Sequence, residues 1–103
     1  MLMTTTDGIP GKTLEVLGMV RGEMVQSKHI GRDFMAGLKG IVGGELSGYT
    51  EMLAEARAAA TERMLREATA LGADAVVAIR FSSSSVMQGA SEILIYGTAV
   101  RFV

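Results

Sequence analysis

The stretch YTEMLAEARAAATERMLREATALGADAVVAIRF, Tyr49–Phe81, carries a helix, its stop signal and the strand that follows. Between Tyr49 and Leu71 there is no Gly or Pro. Ala, Glu, Leu, Met and Arg dominate, residues that lose little freedom on entering a helix. Gly72 stands where a glycine closes a helix in the left-handed conformation. At about 100° per residue, Tyr49, Leu53, Ala56, Ala60, Met64 and Leu71 fall on one stripe. Glu51, Glu55, Glu62 and Arg66 fall opposite, with Glu62 and Arg66 in the favourable i,i+4 order. A third arc of Ala54, Ala58, Thr61, Leu65 and Ala68 adjoins the stripe. Past Asp74 the period drops to two. Val77, Ile79 and Phe81 take one side of a strand, and Val76, Ala78 and Arg80 the other.

Working outward, Ile93 to Val103 alternates Leu94, Tyr96, Thr98, Val100 and Phe102 with Ile93, Ile95, Gly97, Ala99 and Arg101. Both parities are rich in apolar residues, as in a strand covered on both faces. The polar run from Ser82 to Ala90 reads as the hairpin tip between these strands. Upstream, Leu14 to Gln26 is extended, with Leu14, Val16, Gly18, Val20, Gly22 and Met24 on one face. Gly18 and Gly22 admit two readings, a helix lying close across that face or a bulge. For Gly97 the expectation is close approach of the long helix. Residues 30–42 read as a short helix carrying Ile30, Phe34, Leu38 and Ile41. Ser47 is the N-cap candidate for the long helix. Residues 1–12 read as a loose arm. The expected order is β-α-α-β-β: an α+β domain with a three-stranded, mainly antiparallel sheet and the long helix on one face.

The chain has 103 residues and a formal net charge of −1, with no Cys and one His. One domain is the natural reading at this length. Its 49% hydrophobic content excludes disorder. Near-neutral charge argues against nucleic acid as a partner. No apolar run reaches the roughly 18 residues of a membrane helix, and Met1–Asp7 lacks a signal-peptide pattern, so a cytoplasmic protein is expected. Apolar residues on both strand faces and on the extra helix arc exceed what a lone subunit would expose, so self-association is expected. The last strand and the arc with Leu65 and Ala68 are the candidate interface.

The residues also carry a family resemblance. Arg32-Asp33-Phe34, Ile41-Val42-Gly43-Gly44, Tyr49 opening the long helix, Ala70-Leu71-Gly72-Ala73-Asp74-Ala75-Val76-Val77 and Gly97-Thr98-Ala99-Val100 occur in this order and spacing. In these the chain resembles the YbjQ-like family, small bacterial proteins with a heavy-metal-binding description. The resemblance spans about residues 13–101 and makes 13–103 the domain, with 1–12 its arm. It implies a β-α-β-β core like the dodecin subunit, assembly into a homopentameric ring, and no established reaction.

Candidate chemistry is thin. His29 and Asp33, four apart, would share a face of the short helix and are the metal candidates. Two ligands are fewer than a metal site needs, so Glu45 or a symmetry mate would have to complete it. Soft metals prefer thiolate, which is missing. The eight Met read as core filling. Gly43 and Gly44 lead through Ser47 into a helix N-terminus, a candidate anion loop. No Lys-Ser/Thr follows them, so this is not a Walker motif. Ser82–Ser85 has no neighbouring base to activate a nucleophile. No catalytic residue is assigned, and a non-enzymatic binding or assembly scaffold is expected. No cofactor is expected beyond a metal ion of unknown identity. Metal binding at subunit junctions and small-anion or metabolite binding at the glycine loop are the alternatives.

Overall fold

A computed structural model describes residues 1–27, 47–87 and 90–103. The described elements are β1 (Leu2–Met3), β2 (Leu14–Ser27), α1 (Ser47–Ala70), β3 (Ala75–Met87) and β4 (Ala90–Phe102). The class is α+β, with one helix on one mixed sheet. The expected short helix over 30–42 lies outside the described residues.

The sheet has four strands, not the three expected, in the order β1-β3-β4-β2. The extra strand comes from the residues read as a loose arm. Leu2 and Met3 pair in parallel with Ala75 and Val76. Beyond them Thr4 N–H donates to Val76 O at 3.0 Å, Ala78 N–H to Thr6 O at 2.8 Å and Ile79 N–H to Thr4 O at 3.1 Å. Two residues are too short a run for a periodicity signal, so the pairing was invisible in the pattern. β2–β4 and β4–β3 are antiparallel, as expected. β3 also runs further than expected. Ser82–Ser85 is strand, paired with Ser91–Leu94 of β4. Register against a long partner overrides the weak strand preference of serine.

α1 ends as its sequence indicates. Gly72 takes φ +77°, Ala73 N–H donates to Ala68 O, and Gly72 N–H to Thr69 O, the paired bonds of a Schellman stop. Asp74 then fixes the next strand. Its N–H reaches Val100 O at 2.8 Å and its Oδ2 accepts Phe102 N–H at 2.8 Å.

Leu53, Ala56, Ala60, Met64, Leu65 and Ala68 of α1 pack against Val20 and Met24 of β2, Val76 and Ile79 of β3, and Ile93, Ile95 and Ala99 of β4. Ala68 takes the place expected for Leu71, which is exposed. A smaller cluster of Ala75, Val77 and Val100 lies apart from this core, covered by Ile9, Leu14 and Phe102.

Each strand glycine has its own cause. At Gly18, φ +149° and a register shift after Val16 mark a bulge. The bulge is why Leu17 joins Val20 and Met24 in the helix-facing core while Leu14 does not. At Gly22 a Cβ would stand 1.8 Å from Ala60 O and 2.7 Å from Met64 N, so this is where the helix crosses closely. Gly97 corrects the expectation. A Cβ there would meet Val76 Cγ1 at 2.8 Å and Ile79 Cγ1 and Val77 O at 3.0 Å, all on β3 and none on the helix. A second bulge lies in β3, where Ala78 has φ +54° and the register shifts between Val77 and Arg80. It places Val76 and Ile79 together in the core, against strict alternation.

Candidate functional site

α1 lies over β2 and β4 and leaves β3 at its flank. Two adjoining hollows form there, because the helix axis is offset from the sheet's centre. One, about 250 Å³, is lined by Met3, Thr4, Thr5, Thr61, Ile79, Phe81 and Ile95. The other, about 230 Å³, is lined by Leu53, Arg57, Phe81, Ser82, Ser83 and Ile93. Phe81 is common to both and 53% exposed. The groove is therefore largely apolar, and among its described lining residues Arg57 is the single ionisable group. Its described lining residues include no nucleophile–base pair. Thr4, Thr5, Thr61, Ser82 and Ser83 supply its hydroxyls, and nothing basic among the described lining residues other than Arg57 stands beside them.

The opposite face of the sheet is also incompletely covered. Cross-strand register places Val16 beside Val100, Met19 beside Thr98, and Tyr96 between Arg21 and Arg80. Val16 is 69% and Met19 71% exposed. Arg80 is held by bonds to Thr5 O and Ile79 O, and Arg21 pairs with Glu23 at 3.5 Å.

Two side chains of α1 reach across the outer edge of β2. Glu67 Oε1 accepts the Arg21 N–H at 3.2 Å, and Arg63 Nη1 donates to Glu23 O. These backbone groups point away from β4, so the helix closes part of an edge that would otherwise be open.

His29, Asp33, Gly43 and Gly44 lie outside the described residues, so the metal pair and the body of the anion loop do too. Ser47 opens α1. Among the described residues no group of three or more His, Cys, Asp or Glu is gathered. Leu65 is half-buried against the core and Ala68 fully buried in it, so Ala68 is covered inside its own subunit. Sequence reasoning missed the groove and the edge closure. The groove had one trace, an aromatic residue, Phe81, at the end of an apolar run and directly before four uncharged serines. The closure had none, since Arg63 and Glu67 sit among the charges of an ordinary solvated face.

A family model described as "Putative heavy-metal-binding", YbjQ, matches residues 1–103. The chain belongs to the YbjQ-like family. Relatives bear this out over full length. A UPF0145 protein of Vibrio parahaemolyticus is 62% identical, the match covering 100% of this chain and 99% of the relative. One of Thermotoga maritima is 58% identical over 98% of this chain and 96% of the relative, and one of Clostridium novyi 52% identical over 100% of both. A crystal structure from Pediococcus pentosaceus, a DUF74-family protein of unknown function, superposes with TM-score 0.71 at 15% identity. It covers 100% of this chain and 98% of its own, a likeness of fold alone. No helix among the described residues of this YbjQ-like chain is long and apolar enough to cross a membrane.

The heavy-metal description can be set against the donors present. The whole chain has no thiolate and one imidazole, and its thioethers include the core residue Met64. Its soft donors are therefore thioethers alone, and Met3, Met19 and Met87 among them are exposed.

Proposed function

We propose that this chain is a self-associating, non-enzymatic scaffold of the cytoplasm, whose subunits join to cover apolar surface each leaves open. The observation that carries the reading is the exposure of Val16, Met19, Phe81 and Met87, on both faces and one flank of a single sheet. Monomeric proteins seldom leave contiguous apolar patches of this kind. The family resemblance supports a homopentameric ring as the finer form. A ring would repeat any weak ligand site in each subunit and so raise its avidity. Native mass spectrometry of the untagged protein tests this. A homo-oligomer, five-fold in the finer reading, is the expected result. A monomer at micromolar concentration overturns it.

A second reading, favoured by the family description, places a borderline metal ion on His29 and Asp33 at subunit junctions. Titration calorimetry with Zn²⁺ or Cu²⁺ against wild type and His29→Ala checks it. Binding lost in the variant supports it; equal heats in both proteins end it.

A further inference from the structure

We infer that the groove on the flank of α1 binds a small amphipathic anion, a carboxylate carried on an apolar chain. The head sits at Arg57, Ser82 and Ser83, and the chain runs past Phe81 toward Ile79 and Ile95. This goes beyond self-association and does not depend on it. Val16 and Met19 lie on the opposite face of the sheet and stay open to a second subunit.

The charge at the groove is unanswered. Arg21, Arg66 and Arg101 pair with carboxylates, and Arg63 and Arg80 donate to backbone carbonyls. The Arg57 guanidinium has no such partner among the described residues. Its neighbours one turn away on the helix, Leu53, Ala54, Ala60 and Thr61, carry no carboxylate. Ser82 and Ser83 line the same hollow, and their hydroxyls also bond to nothing among the described residues. A guanidinium beside two donor hydroxyls matches an oxyanion. One cation balances one negative charge, which suits a carboxylate over a phosphate monoester with its charge of about −2.

Polarity falls along the groove. In the hollow at Ile79 and Ile95, two hydroxyls are already spent within the chain. Thr61 Oγ1 donates to Arg57 O at 2.7 Å, and Thr4 Oγ1 accepts the Thr6 N–H at 3.1 Å. Beyond Thr5, the rest of that lining is Met3, Ile79, Phe81 and Ile95. An anion without a tail leaves this end unfilled, and a neutral apolar molecule leaves Arg57 unanswered. Hollows of about 250 and 230 Å³ are each small for a ligand, but joined at Phe81 they reach the roughly 300–1,000 Å³ of ordinary pockets. From Ser83 to Ile79 the strand runs about 13 Å, room for an extended chain of several methylenes. Covering the half-exposed Phe81 ring supplies the apolar part of the driving force.

Decanoate is the probe, titrated into the untagged protein and followed by calorimetry and amide chemical shifts. The expected result is saturable binding with the largest shifts at Arg57, Phe81 and Ser83. Arg57 is exposed, so Arg57→Gln should keep the wild-type circular dichroism spectrum. It should weaken binding about tenfold or more, the worth of a charge-assisted hydrogen bond. Acetate lacks the chain and decyltrimethylammonium reverses the charge. Each should bind at least about tenfold more weakly than decanoate. No saturable binding of decanoate overturns the inference. Equal binding by a folded Arg57→Gln, or equal binding of the cationic analogue, does the same. Shifts confined to the Val16 and Met19 face also overturn it. So does binding seen only after dilution to free subunits, because a second copy would then fill the groove in the assembly. Sedimentation in parallel keeps the two claims apart. A monomeric wild type that binds decanoate through Arg57 ends the self-association reading and leaves the anion site standing.

Discussion

At Gly22 the helix backbone crosses close over the sheet. The space a methyl group would need is held by the Ala60 carbonyl and the Met64 amide, and backbone cannot swing aside as a side chain can. Gly22→Ala should therefore cost at least about 3 kcal/mol, the upper part of the overpacking range, read as a lower urea midpoint with unchanged slope. At Ala78 the sign reverses. An L-residue in the left-handed region carries about 1–2 kcal/mol of strain, and glycine relieves it at a smaller entropic cost. Ala78→Gly should leave the melting temperature unchanged or higher. A clear fall would show that the Ala78 methyl contributes packing that outweighs its backbone. A sequence shows that a strand contains glycine, but not whether helix, neighbouring strand or bulge requires it. Gly22, Gly97 and Gly18 are one case of each.

Among the elements, α1 was legible because its signals agree. Propensity, an apolar stripe and a Schellman glycine all indicate one helix, and Ala56, Ala60 and Met64 are buried as the stripe requires. The antiparallel strands were legible from alternation. Their faces were less so, because each bulge in β2 and β3 inserts a residue and shifts every later side chain by one. β1 was not legible at all, since its pairing is set by where β3 lies and not by its own two residues. The groove was hidden for the same reason: it exists through the offset of α1 from β3, a tertiary quantity. The contact of α1 with the β2 edge gives a prediction at this scale. Glu67→Ala removes the acceptor of the Arg21 amide. It should cost about 1 kcal/mol and speed exchange at that amide, with little change elsewhere in β2. Uniformly faster exchange along the strand would instead show that Glu67 supports the whole helix.

For the whole molecule, shape matters more than any one contact. The described chain extends 54 × 25 × 18 Å with a radius of gyration of 16.9 Å. A compact domain of about 100 residues would have one near 13 Å. Strands of 13 and 14 residues form a long, thin sheet that one helix cannot cover. Its ion pairs Arg66–Glu62 and Arg101–Glu15 are exposed and contribute little to holding it. If association completes the core, stability must depend on protein concentration. The melting temperature should rise by several degrees over a hundredfold increase in concentration, because binding to the folded state pulls the unfolding equilibrium. A melting temperature independent of concentration over that range, with assembly present throughout, would show that subunits fold first and that association adds nothing to their stability.

The bulge at Ala78 sets where β3 can change length. A deletion elsewhere between Val76 and Ser84 would turn every residue beyond it over, exchanging Phe81 for Ser82 or Arg80 at the groove. Removing Ala78 itself would restore plain alternation and keep Val76, Ile79 and Phe81 on one face. Descent with insertion and deletion thus has one permitted site between Val76 and Ser84, the register of β3 shifting again only between Ser85 and Met87. Homologous chains that differ by a single residue in that stretch should carry the gap at the Ala78 bulge.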